Sequence, residues 1–398
     1  MIPSAPPSSP SPRLASIDAY RGFVMALIVA EALHLRRVAA KVPDSSFWAF
    51  LGHHQTHAPW LGCTLHDTIQ PSFSFLVGVA LPFSLAARRS HGHSPTRTAA
   101  HAIGRALILV LLGIGLRSLG APATYWTFED TLTQIGLGYG FLFFLGHQPT
   151  RTQWVAFAAL LLATWAAFAA FPLPPPGFDY AAVGVAPEQG ALLPGLAAHW
   201  NKNSNLAWAF DTWFLNLFPR SAPFTHHGGG YATLSFVPTL ATMILGLIAG
   251  TVLRSPREPW EKVRWLAIAG VLGVLAGLAA EASGICPIVK RIWTPAWVLF
   301  SGGLCCLYLA TFFAVIDLRG YKTWAYPLVV LGTNSILAYC LAKPGTTFIA
   351  ETLRTHLGSD VFLLFGKPYE PVLSGASAML IFWAFLAWCY RRKIFVKI

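Results

Sequence analysis

Stretches of roughly 18–20 mostly apolar residues recur along this chain, and no other feature constrains its fold as strongly. A run of that length is what a helix needs to cross the hydrocarbon core of a bilayer. Ten can be marked, near 17–35, 67–87, 102–119, 131–146, 152–171, 232–253, 263–281, 295–316, 325–343 and 372–391. Runs 131–146 and 325–343 are short or carry polar residues. Backbone polar groups cannot go unpaired in lipid, so spanning segments are helices or closed barrels, and the alternating ten-residue pattern of a barrel is missing. The expectation is an all-α, polytopic membrane protein with about ten transmembrane helices. Composition agrees: of 398 residues 55% are hydrophobic and only 11% charged, against about a quarter charged in soluble domains.

Ten spans put both termini on one side. With that side cytoplasmic, most of the 28 basic residues, including Arg88, Arg89, Arg97, Arg151, Arg254, Arg257 and the "YRRKIFVKI" end, crowd into short inner loops, as the positive-inside rule requires. The net charge of +12 is then explained by topology and anionic lipid, and nucleic acid is not an expected partner. No basic leader with a cleavage site precedes the first run, so that run is expected to be retained. An integral protein of a bacterial inner membrane with cytoplasmic termini fits best.

Residues 1–12, "MIPSAPPSSPSP", read as a disordered tail. The rest, 13–398, reads as one membrane domain with two ordered outer segments, 36–66 and 172–231. The second is too long to be structureless, and its "LAWAFDTWFLNLF" reads as an amphipathic interfacial helix bearing Trp208 and Trp213, either as an aromatic belt or as a lining that stacks on sugar. Cys305, Cys306, Cys340 and Cys389 fall in spans and read as small apolar packing groups. Cys63 and Cys286 share the outer side, and a disulfide between them is the less favoured reading.

Chemistry concentrates in "GHHQTHAPWLGCTLHD", residues 52–67. His53 and His57 have helical spacing, but "HHQTH" lacks the glutamate of the zinc-protease pattern, so no metal is expected. Histidine otherwise serves as acid, base or nucleophile near neutral pH. Asp18 and Arg21, three apart, can pair on one face, or Arg21 can hold an anionic ligand. Glu31, near the outer end of the first span, is an ionisable group with a substrate or proton role to fill.

"RLASIDAYRG" followed by "HAPWLGCTLHDTIQPSFSFLVGVALPFS" resembles the heparan-alpha-glucosaminide N-acetyltransferase family of transmembrane acyltransferases. The resemblance continues through "GRALILVLLGIGLRS", "PIVKRIWTPAW", "VIDLRGYKTWAYPLVVLGTNSILAY" and "YRRKIFVKI", and covers nearly everything after residue 12 except the lumenal domain of the animal enzymes. The family pattern H-x-x-W-x-G-x-T-x-x-D falls on His57, Trp60, Gly62, Thr64 and Asp67. The chain departs from the family where Glu31 replaces an asparagine, where "TFEDTLTQ" replaces an arginine-bearing segment, and where "HHGGGYATLSF" replaces a D-P-E-G stretch. These departures bear on the acceptor.

The resemblance implies transfer of an acetyl group from cytoplasmic acetyl-CoA, as donor substrate, to an extracytoplasmic amino sugar or glycan. His57 would be the catalytic histidine, acting as base or carrying the acyl group. Asp67 would orient it or cap the second span, and Lys290 would stabilise an oxyanion or orient the acceptor. Arg21 and Arg105 are candidates for the donor phosphates, and Asn334 for the donor or a neighbouring helix. Glu31, Trp60, Trp208 and Trp213 are candidates for acceptor binding. The family's habit also allows a homodimer. The competing reading is a sugar transporter or binding protein on the same scaffold, although no internal repeat supports it.

Overall fold

The computed structural model describes residues 14–185 and 192–396. The tail expected to be disordered therefore lies outside the described residues, as do residues 186–191 of the second outer segment. Among the described residues the structure is helical throughout, with no strand.

Helix α1 (Ala15–Val29) leads through short helices α2 (Leu35–Lys41) and α3 (Ser46–His54) to α4 (Ile69–Ser90). A hairpin follows, α5 (Pro95–Ser118) with α6 (Thr131–Leu145), then α7 (Thr150–Ala170) leading to the long segment that carries α8 (Leu206–Phe214). Helices α9 (Phe236–Arg254), α10 (Pro259–Ala282) and α11 (Pro295–Phe312) come next, and α12 (Tyr326–Thr333), α13 (Ser335–Leu357) and α14 (Glu370–Arg391) complete the bundle. Among the described residues seven helical stretches are long and apolar enough to cross a membrane, or eight if the bent pair α12–α13 counts as one. The protein is a polytopic membrane protein.

The three other runs of the expected ten are α1, α6 and the bent pair. Helix α6 has only 15 residues, short of the ~20 that a straight crossing needs, whereas α1 runs on through a 3-10 turn to Leu33 and carries Asp18, Arg21 and Glu31. The expected span at 325–343 is broken: α12 and α13 meet at 82°. The break falls at Asn334, which is 2% exposed and uses its amide on the C-terminal segment. Its Nδ2 donates to Ile394 O (3.0 Å) and its Oδ1 accepts from Val396 N–H (3.1 Å). Asn334 is thus spent on anchoring the chain end. The start of α1 is fixed comparably, because its first amides at Ala15 and Ser16 donate to Asp317, which follows α11 and supplies the acceptors that a helix N-terminus lacks.

Burial sorts the helices. The apolar stretch of α9 is 83% buried and that of α4 61%, against 22% for α5 and α7 and 17% for α10, so α9 and α4 are the centre and the others face lipid. Apolar side chains gain nothing by leaving lipid for each other, so close backbone approach has to hold such a centre. Glycines permit it. Gly246 lies against Phe75 O and Gly250 against Val79 O, so α4 and α9 run side by side in the same direction. Gly22 lies against Leu328 O and Gly332 against Asp18 O, so α1 and α12 run antiparallel.

Candidate active site

The site is assembled on the loop between α3 and α4 and on the segment before α11. Gln55, just past α3, accepts from Leu35 N–H (2.6 Å) and donates to Ala30 O (2.5 Å), tying the loop to the end of α1. Thr64 closes the loop by donating its hydroxyl to Thr56 O (2.6 Å). Gly62, at φ +91°, sits in the left-handed region that favours glycine and donates to Ile288 O (3.2 Å). On the facing segment Thr294 accepts from Val289 N–H and Trp297 N–H, forming a tight turn. Trp293 is held there at φ +54°, a costly conformation for a bulky residue. Its indole N–H, donating to Thr242 Oγ1 (3.1 Å), helps to pin it.

Asp67 is the hub. Its Oδ2 receives Ala58 N–H (3.0 Å) and Thr64 N–H (3.0 Å), and its Oδ1 lies 2.8 Å from His57 Nδ1 and 3.3 Å from Lys290 Nζ. Lys290 Nζ is also 3.0 Å from His57 Nδ1. One ring nitrogen cannot both donate to Asp67 and accept from an ammonium. The shorter, charge-assisted bond decides it: His57 Nδ1–H donates to Asp67, Lys290 pairs with the same carboxylate, and Nε2 is left as the basic nitrogen. The His57 side chain is 38% exposed, while those of Asp67 and Lys290 are 1% and 6% exposed. Burial holds His57 below its usual 6.5; Lys290 pushes the same way, and Asp67 opposes both. The imidazole is therefore a neutral base in the neutral pH range, oriented by a carboxylate.

The sequence brought His57, Asp67 and Lys290 forward, and the structure places all three in contact. Trp60 is adjacent, its indole donating to Trp200 O (3.1 Å). Glu31 reaches the same place through His66, Glu31 Oε1 lying 3.1 Å from His66 Nε2 and the His66 ring 4.6 Å from that of His57. Trp208 and Trp213 stand apart. Trp208 donates to Thr225 O (2.8 Å) and packs on Phe178, and Trp213 is 61% exposed. Helix α8 does present an inner face, but what it buries there is Asp211, whose carboxyl burial pushes up to about 7.

Other residues of the site escaped sequence reasoning. Arg291 donates from Nε and Nη2 to Ala58 O (3.2 and 3.1 Å) and from Nη1 to Gly229 O (2.6 Å), and lies over the Tyr231 ring at 5.0 Å. It joins the His57 loop to the "HHGGGY" segment. His227 accepts Gly229 N–H and Tyr231 N–H on Nδ1 and turns Nε2 towards Glu129 (3.9 Å). Burial lowers His227 to about 4 and raises Glu129. The only signal for Arg291 was its place beside Lys290.

Two basic candidates sit elsewhere. Arg21 pairs with Asp18 (3.2 Å) and donates to Gly332 O (3.4 Å), at the α1–α12 contact. Arg105 lines a cavity with Arg88, His101, Thr98, Ser84 and Tyr139. It donates to Tyr139 Oη (3.3 Å), and its Nε is buried without a hydrogen-bond partner. A guanidinium with one unpartnered N–H, beside Arg88 and His101, suits an anion. Among the described residues no cluster of three or more His, Cys, Asp or Glu could hold a metal, and the six cysteines, Cys63 and Cys286 included, are free thiols.

No protein-family profile matches the chain. Curated sequences do. Human heparan-alpha-glucosaminide N-acetyltransferase is 23% identical over 433 residues, spanning 97% of this chain and 60% of the human protein. The chain is a distant homologue of that acetyltransferase. The mouse enzyme of the same name aligns at 22% over 432 residues, with the same coverage. The chain thus spans about 60% of the length of these relatives, and the alignment runs through the His57, Lys290 and Asn334 regions alike.

Proposed function

We propose that the chain is a membrane acyltransferase that moves an acetyl group from acetyl-CoA to an amino sugar or related glycan, with His57 as general base. The observation that carries this reading is Asp67 bound to His57 Nδ1 with Lys290 alongside, which leaves Nε2 free to take a proton. The homology to an N-acetyltransferase supplies the reaction class.

In the direct route the acceptor nitrogen or oxygen attacks the thioester carbon while His57 Nε2 removes its proton. The new bond to carbon forms, the C–S bond breaks, and the leaving thiolate takes a proton to become the free thiol. Asp67 stabilises the imidazolium that forms in between. Lys290, held 3.3 Å from Asp67 Oδ1, would offset the developing oxyanion, a role worth on the order of 3 kcal/mol per donor. Trp60 and Tyr231 wall the acceptor side. Arg105, with Arg88 and His101, would hold donor phosphates, whereas Arg21 is committed to the α1–α12 contact. The positive-inside distribution of basic residues supports an Arg105 end in the cytoplasm and a His57 on the far side. Purified protein supplied with acetyl-CoA and a panel of hexosamines and their N-blocked analogues tests this. Acetylated product is expected for at least one acceptor, and no thiol release above background with any of them would end the acetyl-donor reading.

A further inference from the structure

Beside the Asp67–His57 pair lies a second carboxylate–imidazole pair. His66, 7% exposed, holds Nε2 3.1 Å from Glu31 Oε1, and its ring stacks at a tilt on that of His57, 4.6 Å between centroids. One nitrogen of each ring is therefore engaged, His57 Nδ1 by Asp67 and His66 Nε2 by Glu31. The two that remain are His57 Nε2, the proposed base, and His66 Nδ1. The far end of this series is open, since the Glu31 side chain is 56% exposed. The other groups facing the series are Asp67, Lys290 and Tyr231 around His57, and Lys343 of α13, which acts on Glu31.

Proton balance gives such a series a purpose. An aliphatic amine, with a pKa from about 8 for an α-amino group to about 10 for lysine, arrives near neutral pH mostly as ammonium. Its acetylation reads R–NH3+ plus acetyl thioester gives amide, thiol and H+. Two protons leave nitrogen as the N–C bond forms and the C–S bond breaks. One ends on the CoA thiolate, and the other has no destination in the substrates. A hydroxyl acceptor loses one proton, which the thiolate absorbs, so no surplus arises.

We propose that His66 and Glu31 form a relay that carries the surplus proton from His57 to solvent, and that the site is built for an acceptor presented as an ammonium ion. This rests on the acyltransferase reading. The ammonium gives its first proton to His57 Nε2. With the ring centroids 4.6 Å apart, water carries that proton from His57 to His66 Nδ1; His66 releases its Nε2 proton to Glu31, which hands it to solvent, and the His66 ring resets by exchange with solvent. The neutral amine then attacks, and His57 returns the second proton to the thiolate. Glu31 then acts through His57 rather than on the substrate, the proton role of the two expected for it.

The test compares wild type, Glu31→Gln and His66→Gln in detergent, with acetyl-CoA and glucosamine, across pH and in small or bulky buffers. Each variant should lose kcat by about 10²-fold while KM for both substrates stays within about threefold. Small imidazole at high concentration should restore much of that rate, and a bulky zwitterionic buffer should not. Unchanged kcat, a loss confined to KM, or a loss that no small base rescues would overturn the relay. Elution and melting as for wild type establish folding, and His66→Gln carries the test if Glu31→Gln misfolds. Wild-type protein that acetylates no amine at all would instead remove the acyltransferase reading, and the relay with it.

Discussion

Replacing Asp67 by asparagine keeps the side-chain volume and leaves one acceptor oxygen where there were two. Four donors converge on the carboxylate: His57 Nδ1–H and Lys290 on Oδ1, Ala58 N–H and Thr64 N–H on Oδ2. Whichever way the amide turns, its NH2 meets two of them. If it faces Oδ2's partners, two buried amides go unpaired at about 1–3 kcal/mol each. If it faces His57, the imidazole must switch tautomer, Nε2 becomes a donor, and the base is lost. Lys290, with a side chain 6% exposed, also loses its counter-charge, and stripping one partner from a buried ion pair costs about 3–5 kcal/mol. These costs overlap, so the expected destabilisation is on the order of 3–5 kcal/mol, with kcat reduced about 10⁴-fold by analogy with the same change in a serine-protease triad. Steady-state acetyl transfer and thermal melting in the same detergent measure both. A folded Asp67→Asn protein within tenfold of wild-type kcat would refute the orienting role.

Three further outcomes follow from the geometry. Because burial lowers His57 below 6.5, the acid limb of kcat/KM should fall as pH drops through a value below 6.5; an acid-limb midpoint above 7 would contradict the assignment of the base. Asp211 is raised from 3.8 to about 7 by burial, so the folded state holds its proton where the unfolded chain does not. The resulting stability is present at low pH and lost as pH rises through about 7; Tm should decline over that range in wild type relative to Asp211→Asn, and parallel Tm curves would refute it. Gly78→Ala drives a methyl into Met243 O and should cost more than the ~1–3 kcal/mol of ordinary overpacking, whereas Gly104→Ala, with nothing within 4 Å of its Cβ, should change stability by no more than about 1 kcal/mol; melting of the pair reads the difference.

The helical, membrane-spanning character was legible because hydropathy reports lipid directly. The count was less so, since α1 carries Asp18, Arg21 and Glu31, α6 is short, and 325–343 bends at Asn334, where a side chain binds the C-terminal segment. The carboxylate–histidine–lysine group was legible through a spaced motif and a basic dipeptide. Arg291 was hidden because its bonds go to the carbonyls of Ala58 and Gly229, partners that no side-chain pattern advertises. The Glu31–His66 pair was hidden because it joins α1 to the turn before α4, 35 positions later. Trp213 stayed open between belt and lining, because a tryptophan at an interface looks the same in sequence whether it lines a site or faces outward.

The central claim is that His57 performs acyl transfer, and the most direct measurement sets wild type beside His57→Ala for both acetyl-CoA binding and acetyl transfer to the acceptor found. The account predicts that the variant binds acetyl-CoA as wild type does, because the basic cavity around Arg105 is untouched, while transfer falls by at least about 10²-fold. A His57→Ala protein that binds the donor and still acetylates at the wild-type rate would contradict it.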